Sequence, residues 1–121
     1  MVWQVLFHSD FHEEFNELSE SVQDEIAAMT QLLAVMGPSL KRPFSDTLNG
    51  SKFSNMKELR FEAADGVWRL AYAFDPERKA ILLVAGDKSG VASKRFYKTL
   101  IAKADLRFAA HLTYLKDRKA R

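Results

Sequence analysis

Three consecutive segments in the middle of the chain alternate between apolar and polar positions at the period of a β-strand. In residues 56–62, Leu59 and Phe61 fall on one side and Glu58, Arg60 and Glu62 on the other. In residues 67–74, Trp68, Leu70, Tyr72 and Phe74 share a side, and Val67, Arg69, Ala71 and Ala73 share the opposite one. Residues 80–85 are continuously apolar, as suits a strand covered on both faces. Asp65-Gly66 and Asp75-Pro76 supply the turn chemistry between them. The pattern predicts an antiparallel meander with one face of large side chains. The other face carries small alanines with a lone arginine between them, and their size leaves room for the backbone of a ligand.

Around the meander the period changes to that of a helix. Val2–Phe7 reads as a first strand. Asp10-x-x-Glu13 resembles a capping box, and Phe11, Phe15 and Leu18 follow on one face of a short helix. Ser21-x-x-Asp24 opens a second helix, with Val22, Ile26, Met29, Leu32, Leu33 and Met36 at helical spacing and Gly37-Pro38 at its end. Residues 39–55 form the longest irregular stretch, in which Phe44 and Phe53 are either core anchors or surfaces for stacking bases. Ser93 caps a last helix over roughly 94–116, whose apolar stripe is Phe96, Leu100, Ala104, Phe108, Leu112 and Leu115. The expected fold is α+β: one domain over residues 1–121, a mostly antiparallel four-stranded sheet, two N-terminal helices on its Trp68/Leu70/Tyr72 face, and a C-terminal helix.

Composition adds little to that picture, and charge adds more. The chain has 121 residues and no cysteine, which rules out disulfides and thiolate metal sites. No apolar run approaches the roughly 18 residues of a membrane span, and the N-terminus lacks the features of a signal peptide, so the expected location is cytoplasmic. Net charge is only +2. Residues 1–60, however, carry five Lys/Arg against nine Asp/Glu, and residues 61–121 carry thirteen against seven. A basic half favours a polyanionic partner, although a well-solvated terminal helix would look the same.

Several chemistries lack their residues. There is no glycine-rich phosphate loop and no nucleophile elbow. His8 and His12 are four apart, but one falls at a strand end and no third ligand is evident, so no metal is expected. His111 lies near the apolar stripe of the last helix and reads as a packing histidine. What remains is a set of cations near one sheet edge, Lys57, Arg60, Arg69 and Lys88, with Tyr97 close to the start of the last helix. The plain alternative is that Arg60 pairs with Glu58 or Glu62 and Arg69 is a surface charge.

The motifs Gly37-Pro38-x-Leu40-x-Arg42-Pro43, Met56-Lys57-Glu58-Leu59-Arg60, Trp68-Arg69-x-x-Tyr72 and Gly86-Asp87-Lys88, followed by the Phe96-Tyr97 helix, resemble the HigB branch of the RelE-type toxins. The resemblance covers nearly the whole chain in order. It implies a toxin that cleaves messenger RNA on the ribosome, without metal or other cofactor, through the RNA 2′-hydroxyl. It also implies neutralisation by a helix-turn-helix (HigA-like) antitoxin. By the same resemblance Arg69 would stabilise the transition-state phosphate, Arg60 and Lys88 would share its binding, and Lys57 is a candidate base. Tyr97 would stack on a base or donate a proton. Lys41, Arg42, Lys52, Lys94 and Arg95 are candidate RNA contacts. The chain departs from better-known patterns in having no histidine in this set. Members of the same superfamily that poison DNA gyrase, and a fold that only binds RNA or the ribosome, are the competing expectations.

Overall fold

In the computed structural model, which describes residues 2–120, the elements run β1 (Val5–Phe7), α1 (Ser9–Asn16), α2 (Glu20–Met36), a 3-10 turn (Gly37–Ser39), β2 (Ser45–Thr47), β3 (Lys57–Ala63), β4 (Gly66–Phe74), β5 (Ala80–Asp87) and α3 (Ser93–Lys119). The strands form one sheet in the order β1-β5-β4-β3-β2. β1 runs parallel to β5, and the other pairings are antiparallel. The α+β class is as expected, but the sheet has five strands rather than four. The extra one, β2, lies inside the stretch that reads as irregular. Ser45-Asp46-Thr47 has no apolar alternation to announce it; it is a strand because β3 offers it a ladder. A buried hydrogen bond of 2.6 Å between Ser45 Oγ and the Tyr72 hydroxyl reinforces the pairing.

The two faces of the sheet are covered by different helices. Phe11 of α1 and Val22, Ile26, Met29 and Leu33 of α2 pack on Leu59, Phe61, Leu70, Tyr72 and Leu82. Trp68 is half-buried at the edge of this core, stacked on Phe61 with ring centroids 6.4 Å apart. The helix starts differ slightly from the sequence pattern: His8 and Ser19 stand at the N-cap positions of α1 and α2. On the opposite face, Ala71, Ala73, Ile81 and Leu83 lie under Phe96, Leu100, Ala104 and Phe108 of α3. The alanine face is therefore not free for a ligand, because the stripe of the last helix has the area to cover it and does so. Beyond Ala71 the end of that face is occupied by Arg69.

Several polar contacts fix α3 against the sheet. Asp105, buried in the helix, accepts hydrogen bonds from Ser51 Oγ and Lys52 N, at 2.5 and 2.9 Å, and so pins the loop after β2. In the same loop Phe53 packs edge-on against Phe108 at 5.0 Å. Arg107 donates to the Leu83 carbonyl at 2.8 Å and to both oxygens of Glu14 on α1, bridging the two faces around the sheet edge just beyond the short β1. His111 is half-buried, paired with Asp75 at 2.8 Å and stacked on Phe108, which fits its reading as a packing histidine.

Candidate active site

Cross-strand register sets Arg60 of β3 directly opposite Arg69 of β4, and Arg69 opposite Gly86 of β5. Like charges facing each other on one sheet face repel, so the pair needs an anion. Glu58, two residues before Arg60, is on the same face. Its Oε2 accepts from Arg60 Nη1 at 2.7 Å, and its Oε1 lies 3.8 Å from Arg69 Nε. The Tyr97 hydroxyl donates to Glu58 Oε1 at 2.8 Å and accepts from Arg69 Nε at 3.1 Å. Arg69 Nη1 also donates to the carbonyl of Trp68 at 2.9 Å.

Burial gives the network its character. Glu58 is 4% exposed and Arg69 is 7% exposed. Arg69 is thus not the surface charge of the plain alternative, whereas the pairing of Arg60 with Glu58 is present. Burial raises the pKa of the Tyr97 hydroxyl, the bond to Glu58 raises it further, and the bond from Arg69 opposes them. The phenol keeps its proton at neutral pH. Gly86 helps to place it: a Cβ at that position would come within 3.0 Å of the Phe96 ring. Its absence lets the first turns of α3 approach β5 closely and bring Tyr97 over β4.

Arg60 and Arg69 also line an open concavity of about 600 Å³ with Arg42, Pro43, Phe44, Phe61, Glu62 and Val67. It lies where β2 ends and leaves the edge of β3 uncovered. Among the described residues, the hydrogen bonds of the Arg69 guanidinium are made by Nε and Nη1, and Nη2 has no partner.

The other predicted residues divide. Lys88 follows β5 with its N–H bonded to the Val67 carbonyl at 2.7 Å, and alternation from Gly86 puts it on the face of Arg69. Lys57 does not join the cations. It pairs with Tyr72 and shares the face of Leu59 and Phe61, because β3 alternates and Arg60 is an odd number of residues away. Arg42 lines the concavity and pairs with Asp46 at 2.8 Å. Lys41 and Lys52 are exposed on the loops flanking β2. Lys94 borders a shallow depression with Gly50, Tyr97 and Lys98, while Arg95 turns to a different hollow beside Val84, Ala85 and Gly86. Lys94 and Arg95 therefore diverge. Glu58 is the residue that sequence reasoning passed over as a site member. Its position between Lys57 and Leu59 in the alternation was visible, but its burial depends on Tyr97, 39 residues away. Among the described residues, no group of three or more His, Asp or Glu side chains comes together as a metal site would require.

The sequence itself matches a known family. Residues 13–109 match the model of the family described as "Phage derived protein Gp49-like (DUF891)". The chain belongs to this Gp49-like family. It is 44% identical over 93 residues to the "Putative toxin HigB3" of Mycobacterium tuberculosis (strain ATCC 25618 / H37Rv), covering 77% of this chain and 79% of that protein. It is 39% identical over 105 residues to the "Putative toxin HigB2" of the same strain, covering 86% of this chain. That alignment spans about half of HigB2, 52% of its length. The Gp49-like chain also shares its fold with a mutant of the E. coli toxin RelE in the free state, with a TM-score of 0.60 at 14% identity, covering 85% of this chain and 97% of that one. It is a HigB-like member of the Gp49-like family on a RelE-like fold.

Proposed function

We propose that this chain is the toxin of a toxin–antitoxin pair and that it cuts messenger RNA on the ribosome. The observation that carries the reading is the convergence of Arg60, Arg69, Tyr97 and Glu58 beside an open, arginine-lined concavity. Cleavage through the 2′-hydroxyl needs a base for that hydroxyl, positive charge for the pentavalent phosphate and an acid for the departing 5′-oxygen. The two arginines meet the phosphate, with Lys88 beside them. Glu58 takes the 2′-hydroxyl proton as the 2′-oxygen attacks phosphorus. Tyr97 turns its hydroxyl toward the concavity and protonates the 5′-oxygen as the P–O bond breaks. The 2.8 Å hydrogen bond then returns the proton from Glu58 to Tyr97, leaving a 2′,3′-cyclic phosphate and a free 5′-hydroxyl. Glu58 replaces Lys57 as base because Lys57 is on the wrong face.

A net charge of +2 gives weak purchase on free RNA. The ribosome supplies the orientation that a small site lacks, and the protein acts in the cytoplasm under control of a helix-turn-helix antitoxin. Mapping transcript 5′ ends in a translation extract tests the reading. New 5′-hydroxyl ends within translated sequence, suppressed by the antitoxin, are expected. Translation arrest with intact transcripts, or inhibition of DNA gyrase without new ends, would overturn it.

A further inference from the structure

The loop leading into β2 holds an aromatic side chain in a place that burial does not explain. The N–H of Phe44 donates to the Lys41 carbonyl at 3.0 Å, and its own carbonyl accepts from Arg60 N at 2.9 Å. With the backbone tied on both sides, the residue is still 44% exposed. It lines the concavity with Arg42, Pro43, Arg60 and Arg69. Phe53, nearby in sequence, goes into the core against Phe108. A phenyl ring left in water forgoes the stabilisation that burial would give, and a fixed main chain makes it a defined surface.

We propose that Phe44 is the stacking platform for one unpaired nucleobase of a single-stranded RNA, a subsite that rests on the ribonuclease reading above. Every base has a π-face, so an aromatic platform beside a cationic groove suits single strands. The neighbouring groups supply the rest of a nucleotide's needs. Arg60 and Arg69 take the phosphate, and Arg42 can exchange its exposed bond to Asp46 for a second phosphate. The concavity, about 600 Å³, lies within the roughly 300–1,000 Å³ usual for small-ligand sites. Because the pairing of β2 with β3 ends at Ser45 and Leu59, no strand among the described residues covers the edge of β3 over residues 61–63, and a splayed base can reach the ring from that side.

The test is binding of a short single-stranded RNA whose 2′-hydroxyls are all methylated, so that it cannot be cut, followed by fluorescence anisotropy at low salt. Phe44→Ala is expected to weaken binding about five- to a hundredfold, the range set by loss of one stacked base. Phe44→Leu should not restore it, whereas Phe44→Tyr and Phe44→Trp should bind like the parent, all with unchanged melting temperatures. An abasic site at one oligonucleotide position should cause the same loss, with no further loss on adding Phe44→Ala. Parent-like binding by Phe44→Ala or Phe44→Leu, absence of binding by the parent chain, or an effect of Phe44→Ala on antitoxin neutralisation alone would each overturn the proposal. Failure of the ribonuclease reading is distinguishable, since it would leave Phe44-dependent binding intact with no new transcript ends.

Discussion

Tyr97 on α3 donates its hydroxyl hydrogen to Glu58 on β3 at 2.8 Å, across a helix–sheet interface in which the carboxylate is almost wholly buried. The same oxygen accepts from Arg69. One phenol thus links the anion and the cation that β3 and β4 bring to this end of the sheet. Its removal should disturb proton transfer before it disturbs the fold.

The direct check is Tyr97→Phe. The ring and its edge-on packing against Phe96, with centroids 5.3 Å apart, remain. Loss of one hydrogen bond from a part-buried pair is expected to cost about 1–3 kcal/mol in thermal or denaturant unfolding. Single-turnover cleavage on programmed ribosomes should fall by about a hundredfold or more, the usual worth of a positioned acid. A variant that cuts at the parent rate would remove Tyr97 from proton transfer.

Glu58 and Arg69 should be coupled in stability as well as in chemistry. Removing one partner of a buried charge pair typically costs about 3–5 kcal/mol when the survivor is left uncompensated; Glu58 keeps its 2.7 Å bond from Arg60, so loss of Arg69 should cost less than that. Arg69→Ala is therefore expected to lower the melting temperature, unlike a surface arginine, whose pairing is worth about 0–1 kcal/mol. In a Glu58→Gln background the same substitution should cost less, by a coupling of about 0.5–3 kcal/mol. Additive losses in urea unfolding would show that the two act independently. Arg69→Lys should rescue little cleavage, since an ammonium cannot reproduce the guanidinium's simultaneous bonds to Tyr97 and the Trp68 carbonyl.

These residues show what the sequence exposed and what it hid. The period-2 runs around Leu59 and Leu70 located the meander, and the helical spacing of Phe96, Leu100 and Phe108 located the helix on its far side. Arg69 stood out because it interrupts a face of small apolar residues, and Arg60 because it belongs to the set of cations near the same sheet edge. β2 stayed hidden, because three polar residues at an edge are strand only through their partner. The burial of Arg69 and Glu58 was likewise invisible, since it comes from how far α3 reaches along the sheet. Phe44 and Phe53 looked equivalent in sequence, and tertiary packing separated them.

Lys57 provides a control from the opposite face. It lies one residue from Glu58, yet strand alternation turns it toward the side covered by α2. Lys57→Ala should change the single-turnover cleavage rate by no more than about twofold, matching the roughly 0.5 kcal/mol expected of a substitution away from the chemistry. A loss comparable to that of Tyr97→Phe would mean that Lys57 takes part in the proposed cleavage despite lying on the α2 side of β3.

The last expectation concerns acid and the bridge around the sheet edge. Glu14 has its pKa lowered, first by the hydrogen bonds from Arg107 and then, against the opposing effect of burial, by the positive charge of that guanidinium. The unfolded chain therefore takes up a proton at this carboxyl before the folded chain does as pH falls. The stability it contributes is fully present above the ordinary glutamate pKa and is lost progressively as pH drops through the lower folded value. Glu14 is partly exposed, so solvent screening keeps this contribution modest. Glu14→Gln should unfold more easily than the parent at pH 7, and the difference should shrink below the ordinary carboxylate range, as followed by urea unfolding at stepped pH. Tyr97 gives the opposite sign at the other end of the scale: its raised pKa means that stability is lost as pH climbs above about 10. A difference between Glu14→Gln and the parent that stayed constant from pH 7 to pH 3 would mean that the bridge acts through packing of Arg107 on the Leu83 carbonyl and not through the carboxylate's charge.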